Sequence, residues 1–145
     1  ILVRTTMIVG FPGETDAQFE TLMNFVKESR FERLGAFTYS PEEGTPACTM
    51  PDQVDEDVKN QRLDDLMMAQ QAISAEINES RVGSVVEALI DGEEDGAYIA
   101  RSALEAPESD GVIRIAADKK LTPGEYVRVR ITGADAYDLM GVIEE

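Results

Sequence analysis

The residues best suited to chemistry lie in one turn, Gly10-Phe11-Pro12-Gly13-Glu14, between an apolar, β-branched segment and a helical pattern. Gly10 lets the backbone approach a planar ligand closely, and Gly13 can adopt a positive φ. The Glu14 carboxylate can accept backbone N–H groups, so we interpret it as a brace for the turn and not as a general base. No Gly-Lys-Ser/Thr follows, which excludes a phosphate-binding P-loop. From spacing alone, an ordinary strand-to-helix turn explains these residues equally well.

The rest of the chain offers little for metal or nucleophilic chemistry. It contains one cysteine, Cys48, and no histidine, so it can assemble neither a Cys/His metal set nor a His-based triad. A single cysteine forms no internal disulfide, which fits a reducing cytoplasm. We interpret Cys48 as an incidental small residue in a loop. Metal or cluster chemistry would need residues outside this chain.

The chain is strongly acidic. Its 145 residues include 13 basic and 29 acidic side chains, a net charge of −16. Residues 82–145 contribute 14 acidic and six basic residues, so the acidity is shared between the two halves. Neither half has the clustered Lys and Arg that neutralise nucleic-acid phosphates. Composition leaves two explanations open, a solvated acidic surface or a basic partner. No apolar run approaches the roughly 18 residues of a membrane span.

The turn lies within a predicted strand–helix–strand unit. Residues 2–10 predict a buried strand, and Thr15 with Gln18 has the spacing of a helix-capping box. Residues 33–40 predict a second strand, whose lack of clean alternation is typical of a parallel sheet. A long helix follows over residues 52–79. Its apolar stripe consists of Val54, Val58, Leu66, Ile73 and Ile77.

After Gly83 the pattern changes to five short strands separated by Gly, Pro and Asp. In one of them apolar residues alternate with Arg128 and Arg130, which predicts a strand with one buried face. Five such strands in 64 residues predict a small antiparallel barrel of OB-like size. We therefore expect two domains, residues 1–81 and 82–145.

Several segments together resemble one enzyme family. "TTMIVGFPGET", residues 5–15, is similar to the fifth-strand motif of the radical S-adenosylmethionine barrel, an aliphatic strand followed by a Gly and, four residues later, a Glu. "RLGAFTYSPEEGTPA" resembles the sixth strand and next loop of the methylthiotransferases within that superfamily. "LMMAQQAIS" and "INESRVG" resemble the helix that leaves the barrel. The last 64 residues resemble the TRAM domain that these enzymes carry.

The resemblance implies a fold and a cosubstrate. The fold is α/β plus all-β: the C-terminal βαβ portion of a radical S-adenosylmethionine (β/α) partial TIM barrel with its exit helix, then a five-stranded antiparallel TRAM barrel. The cosubstrate is S-adenosylmethionine, with two 4Fe–4S clusters bound by residues outside this chain. The residues implied to line its pocket are Ile8, Val9, Gly10, Glu14, Phe37, Tyr39 and Ser40.

Within that family, two branches differ in substrate. "RLGAFTYSPEEGT", "YIARSALEAPESDG" and "AYDLMG" resemble the branch that methylthiolates the β-carbon of an aspartate in the small-subunit ribosomal protein S-twelve. The other branch modifies adenosine in tRNA and should carry a basic TRAM barrel. Ribosomal proteins are typically basic, so an acidic barrel favours the protein substrate. The residues expected to dock it from exposed loops are Glu93, Glu94, Glu105, Glu108 and Asp110.

The chain also lacks parts of such an enzyme. The cluster-binding Cys-x3-Cys-x2-Cys of the superfamily is absent. We therefore expect this chain to be the C-terminal part of a longer cytoplasmic transferase and to be inactive alone, with no direct contact to nucleic acid or membrane. A protein-binding module without catalysis remains the alternative from another class.

Overall fold

The computed structural model describes residues 1–145, which form two compact units, residues 1–73 and residues 74–145. The first unit contains strand β1 (Arg4–Val9), helix α1 (Asp16–Ser29), strand β2 (Arg33–Thr38) and a short 3-10 helix (Pro46–Thr49). Helix α2 (Glu56–Ser80) begins in the first unit and ends in the second. None of the helices combines the length and apolar character needed to cross a lipid bilayer.

The predicted βαβ unit is confirmed. Strands β1 and β2 pair in parallel, with Arg4 opposite Arg33 and Val9 opposite Thr38. Helix α1 crosses between them and is capped by Thr15, whose side chain accepts the Gln18 N–H while the Gln18 side chain accepts the Thr15 N–H. This reciprocal pair satisfies two backbone donors that a helix start leaves free, which is why the sequence pattern identified it.

The two faces of this small sheet differ in burial. Val9 and Leu34 are buried on one face. Ile8 and Phe37 lie opposite each other in the register on the other face and are 58% and 63% exposed. Successive strand residues point to opposite faces, so neighbours such as Ile8 and Val9 cannot line the same surface with their side chains.

Helix α2 begins at Glu56, four residues later than predicted. Its buried residues follow a spacing of three to five positions along one side, but several of them are polar. Val58 of the predicted apolar stripe is 37% exposed, whereas Leu66 and Ile73 are buried as predicted. The buried residues of α2 are Lys59, Arg62, Leu66, Gln70, Ile73 and Asn78.

The second unit contains a closed five-stranded barrel. Its strands are β3 (Val85–Glu94), β4 (Ala97–Arg101), β5 (Ile113–Ala116), β6 (Tyr126–Ala134) and β7 (Leu139–Ile143), arranged in the order β3-β4-β5-β7-β6. The prediction of an entirely antiparallel barrel is wrong for one pair, because β5 and β7 run parallel. Strand direction cannot alternate around a closed ring with an odd number of members, so five strands require at least one parallel pair.

The barrel core follows the predicted alternation. In β6, Val129 and Ile131 are buried while Arg128 and Arg130 are exposed. A contiguous apolar cluster fills the interior. Its buried members are Ala88, Ile90, Ala100, Ile113, Ile115, Leu121, Val129, Ile131 and Leu139.

Candidate functional site

The turn after β1 is held by its own backbone and by Glu14. The Gly10 N–H donates to Glu14 Oε1 at 2.9 Å, and the Glu14 N–H donates to the Phe11 carbonyl at 2.9 Å. Gly10 and Gly13 have φ values of 77° and 84°, in the region that favours glycine. Glu14 therefore braces the turn, as its spacing predicts.

Lys59 of α2 fills the space beside Gly10. A Cβ at Gly10 would overlap the Cγ and Cδ atoms of Lys59, which is only 2% exposed. The Lys59 ammonium donates to the Tyr39 carbonyl at 3.0 Å and to Glu56 Oε1 at 2.8 Å, and it lies 5.4 Å from the centre of the Tyr39 ring. The Cβ side of Gly10 is therefore filled by a lysine side chain and is not open to a ligand, while contact of the Gly10 backbone with a ligand stays a prediction.

Arg62, about one helical turn after Lys59 in α2, binds the Glu14 end of the Gly10–Glu14 turn. Its Nη1 donates to Glu14 Oε1 at 2.7 Å and to the Glu14 carbonyl at 3.1 Å, and its Nη2 donates to Asp16 Oδ1 at 2.8 Å. Burial alone would lower the pKa of Arg62, but hydrogen bonds with Asp16 and Glu14 outweigh burial and raise that pKa. The guanidinium therefore stays charged although it is only 6% exposed.

The structure brings some of the predicted pocket residues together and separates others. Ile8 and Phe37 form one exposed apolar surface on the sheet, whereas the Val9 side chain is buried on the opposite face. Tyr39 packs against Phe11 with ring centres 5.4 Å apart, and its buried hydroxyl oxygen has no hydrogen-bond partner. Ser40 is exposed just beyond Tyr39.

Sequence reasoning missed Lys59 and Arg62 as part of this site. The prediction for α2 named only its apolar stripe, because buried positions of a helix are usually apolar and charged residues usually face water. Their spacing of three residues places them on one side of the helix, which is the signal that could have found them. The strand-end and turn residues that they contact lie 20 to 49 positions away in the chain.

On the barrel, Glu93 and Glu94 end strand β3 and are exposed. They lead into a two-residue turn at Asp95 and Gly96, whose φ values are 51° and 80°. Asp-Gly is a favoured pair for such a turn, since both central residues need a positive φ. This segment, residues 93–96, is the acidic hairpin.

Glu105 contradicts the expectation of an exposed docking residue. It is only 5% exposed and accepts hydrogen bonds from Arg81, from the Ser102 N–H and from the Ser102 hydroxyl. Burial alone would raise the pKa of Glu105, but the bonds from Ser102 and Arg81 outweigh burial and hold that pKa below its ordinary value. The chain around Glu105 gave no sign of Arg81, which lies 24 positions earlier.

The remaining predicted docking residues are divided between the two ends of the barrel. Asp110 accepts the Ala106 N–H at 2.7 Å and so braces the loop after β4, where Glu108 is exposed. The acidic hairpin lies at the other end of β4, roughly 13 Å away at about 3.3 Å per strand residue. The five predicted residues therefore do not form one surface.

Several barrel arginines are paired with barrel carboxylates. Arg101 binds both oxygens of Asp91, Arg130 binds Glu144, and Arg114 lies 3.8 Å from Asp138. The hydrogen bond from Arg101 lowers the pKa of Asp91, so the Asp91 carboxylate stays ionised. These pairs reduce the positive charge that the barrel can offer to phosphate groups.

Comparison with known proteins gives a consistent set of relatives. Residues 82–143 match the family described as TRAM domain. The chain is 51% identical over 141 residues to the ribosomal protein uS12 methylthiotransferase RimO of Caldanaerobacter subterraneus, covering 97% of this chain and 32% of that protein. Identity to the RimO proteins of Petrotoga mobilis and Clostridioides difficile is 49%, over 99% and 97% of this chain and 33% and 32% of those proteins. The chain thus spans about a third of the length of these curated relatives.

Proposed function

Because this chain is a homologue of the uS12 methylthiotransferases RimO and carries a TRAM domain at residues 82–143, we propose that it is the C-terminal part of such an enzyme. The observation that carries the proposal is identity near 50% across both structural units. The proposed reaction inserts a methylthio group at the β-carbon of an aspartate of uS12. We place the boundary between the two functional parts at residues 81 and 82.

In this proposal, β1 and β2 are the last two strands of a radical S-adenosylmethionine barrel. The exposed pair Ile8 and Phe37 offers the flat apolar surface that an adenine ring needs. Tyr39 lies just beyond the carboxyl end of β2, on the side where parallel sheets bind ligands, and its buried hydroxyl has no hydrogen-bond partner within this chain. These features fit S-adenosylmethionine, which supplies the radical chemistry when bound, whereas Val9 supports this surface from behind.

The role of Glu14 is to fix the backbone at the carboxyl end of β1. One oxygen of its carboxylate, Oε1, already accepts both the Gly10 N–H and the Arg62 guanidinium, which fixes the carboxylate within the turn. Ser40, which follows Tyr39 in the chain, is exposed and can contact a ligand. In this proposal the first unit contributes shape and orientation, and residues outside this chain hold the two 4Fe–4S clusters.

The barrel is proposed to dock the ribosomal protein. Its net charge of −8 attracts a basic protein and repels RNA, and the pairing of Arg101, Arg114 and Arg130 strengthens that preference. The acidic hairpin is the part of the predicted docking set that stays exposed and contiguous in the chain. The proposed setting is the cytoplasm, where unmodified ribosomal proteins are available.

The test is a modification assay with the complete enzyme, reconstituted with both clusters and given S-adenosylmethionine and a sulfur source. Mass spectrometry of uS12 peptides should show a methylthio group on one aspartate, and total tRNA in a parallel reaction should stay unmodified. Methylthiolated adenosine with unmodified uS12 would transfer the assignment to the tRNA branch. An enzyme that binds uS12 but modifies neither substrate would favour the protein-binding module.

A further inference from the structure

Two buried cations of α2 reach the carboxyl ends of both strands of the first unit. Lys59 and Arg62 are 2% and 6% exposed and lie three residues apart on one side of the helix. Lys59 contacts Gly10, which follows β1, and Tyr39, which follows β2. Arg62 binds Glu14 at the far end of the turn.

The Lys59 contacts fix two backbone segments at once. Its aliphatic stem packs against the Gly10 Cα, and its ammonium binds the Tyr39 carbonyl at 3.0 Å. The Tyr39 N–H also donates to the Val9 carbonyl at 2.8 Å, so the two strand ends are joined directly as well as through the lysine. Moving Lys59 would therefore shift the position of the Tyr39 ring and hydroxyl.

The Arg62 contacts converge on a single oxygen. Glu14 Oε1 accepts both the Gly10 N–H and Arg62 Nη1, so the guanidinium aligns the carboxylate that holds the Gly10 amide. The second branch of the guanidinium binds Asp16 in the first turn of α1. A planar fork can bind both groups, whereas an ammonium at the same place would serve as a point charge.

Stability alone does not require these cations. Burying an ion pair takes both charges out of water, and a well-packed apolar substitute is often as stable. What the cations add is a defined direction for each hydrogen bond at the ends of β1 and β2.

We propose that Lys59 and Arg62 are positioning residues for the S-adenosylmethionine pocket. They act through the Gly10–Glu14 turn and through Tyr39 and contact no reacting atom. The inference rests on the proposed function, since it needs the cosubstrate to bind at this end of the sheet.

The test uses the complete enzyme and equilibrium dialysis with radiolabelled S-adenosylmethionine. Arg62→Gln and Lys59→Met should each weaken binding about tenfold or more, because small displacements of a positioned group have effects of this size. Arg62→Lys should bind S-adenosylmethionine more tightly than Arg62→Gln but less tightly than wild type, because lysine keeps the positive charge and lacks the planar, two-branched guanidinium. Hydrogen exchange at the Gly10 amide should speed up in Arg62→Gln, because the Glu14 carboxylate that accepts this amide is no longer aligned by Arg62.

Two controls separate positioning from general stability. Ile73→Ala removes buried apolar contacts from the same helix about three to four turns away, and Lys27→Met removes an exposed lysine from α1. If Lys59 and Arg62 position the pocket, Ile73→Ala should lower the melting temperature and leave the affinity for S-adenosylmethionine nearly unchanged. Lys27→Met should change neither quantity. If affinity instead falls in proportion to melting temperature across all variants, or is unchanged in Arg62→Gln and Arg62→Lys, the inference is wrong. A wild-type enzyme that fails to bind S-adenosylmethionine would overturn the proposed function itself.

Discussion

Removing the Glu105 carboxylate should destabilise the barrel strongly. In Glu105→Ala, Arg81 and Ser102 lose the acceptor that both of them use. The Arg81 side chain is only 13% exposed, so water replaces the lost partner incompletely. The loop after β4 should open, because its first residue, Ser102, is held to Glu105 through backbone and side chain alike.

The size of the effect follows from the burial of the pair. Removing one partner of a fully buried ion pair costs about 3–5 kcal/mol, since it leaves an uncompensated charge. Arg81 retains some access to water, so we expect about 2–4 kcal/mol for Glu105→Ala. Glu105→Gln should cost less, because an amide keeps one acceptor for Ser102. A loss of this size is a large part of the roughly 5–15 kcal/mol that stabilises a typical domain.

Native-state hydrogen exchange of the barrel amides measures this loss without contributions from the first unit. The amides of Val129 and Ile131 lie in the buried core and should exchange through global opening of the barrel. Glu94→Ala is the matched control, because it removes an exposed carboxylate from the same barrel and should change stability by less than about 0.5 kcal/mol. If Glu105→Ala and Glu94→Ala behave alike, the buried pair does not stabilise the barrel.

The same pair predicts a pH dependence with a defined sign. The folded pKa of Glu105 lies below its ordinary value near 4.5, so the folded state binds the proton less readily than the unfolded state. The stabilisation is therefore present above about pH 4.5 and is lost as pH falls through the lower, folded pKa. The stability difference between wild type and Glu105→Gln should shrink over that acidic range, and a difference that grows there would contradict this assignment.

Three further predictions follow from the turn, the hairpin and the cysteine. Gly10→Ala should destabilise the first unit by at least about 1–2 kcal/mol, because an alanine is strained at the positive φ of this position. The new Cβ would also displace Lys59, which adds to the loss. Thermal melts measure the effect, and an unchanged melting temperature would refute the prediction. The double change Glu93→Lys and Glu94→Lys should slow association of the complete enzyme with uS12 at low salt. The difference in rate from wild type should shrink as salt is raised to physiological ionic strength, where the screening length is about 8 Å. The control is Glu20→Lys with Glu28→Lys in α1, and equal slowing by that control would contradict a docking site at the acidic hairpin. This chain alone, incubated with iron and sulfide, should show no stable 4Fe–4S absorbance, since Cys48 is its single thiol; near-stoichiometric iron would refute that expectation.

The sequence predicted the elements whose causes are local. The Thr15 capping box and the alternation in β6 each depend on residues within a few positions of one another. The brace at Glu14 belongs to this group, because its carboxylate binds an amide only four positions away. The resemblance to a known family identified the relatives that the comparisons found, and its implied pocket residues stay a prediction in which Val9 lies on the sheet face opposite to Ile8 and Phe37.

The errors arose where a side chain's role depends on a distant partner. Glu105 was expected to be exposed because it lies in an acidic loop, but Arg81 buries it. Gly10 was expected to face a ligand because glycine permits close approach, but Lys59 makes that approach. In both cases the partner lies far away in the chain, at Arg81 for Glu105 and at Lys59 for Gly10, so the local sequence did not contain it.

Helix α2 explains why such partners are hard to predict. Its buried polar residues each bind a backbone carbonyl: Lys59 that of Tyr39, Arg62 that of Glu14, Gln70 that of Phe31 and Asn78 that of Asp135. These carbonyls lie outside regular helices and strands or near their ends, where the backbone cannot always satisfy itself and a buried, unpaired acceptor would be unfavourable. A helix that supplies donors to such positions must carry polar residues on its buried side, so its hydrophobic pattern is weak because of the function it performs. The buried side also contains Leu66 and Ile73, and the residues at 59, 62, 66, 70 and 73 together follow the helix period. Three of these five residues are polar, so a search for apolar residues alone could find only part of the buried side.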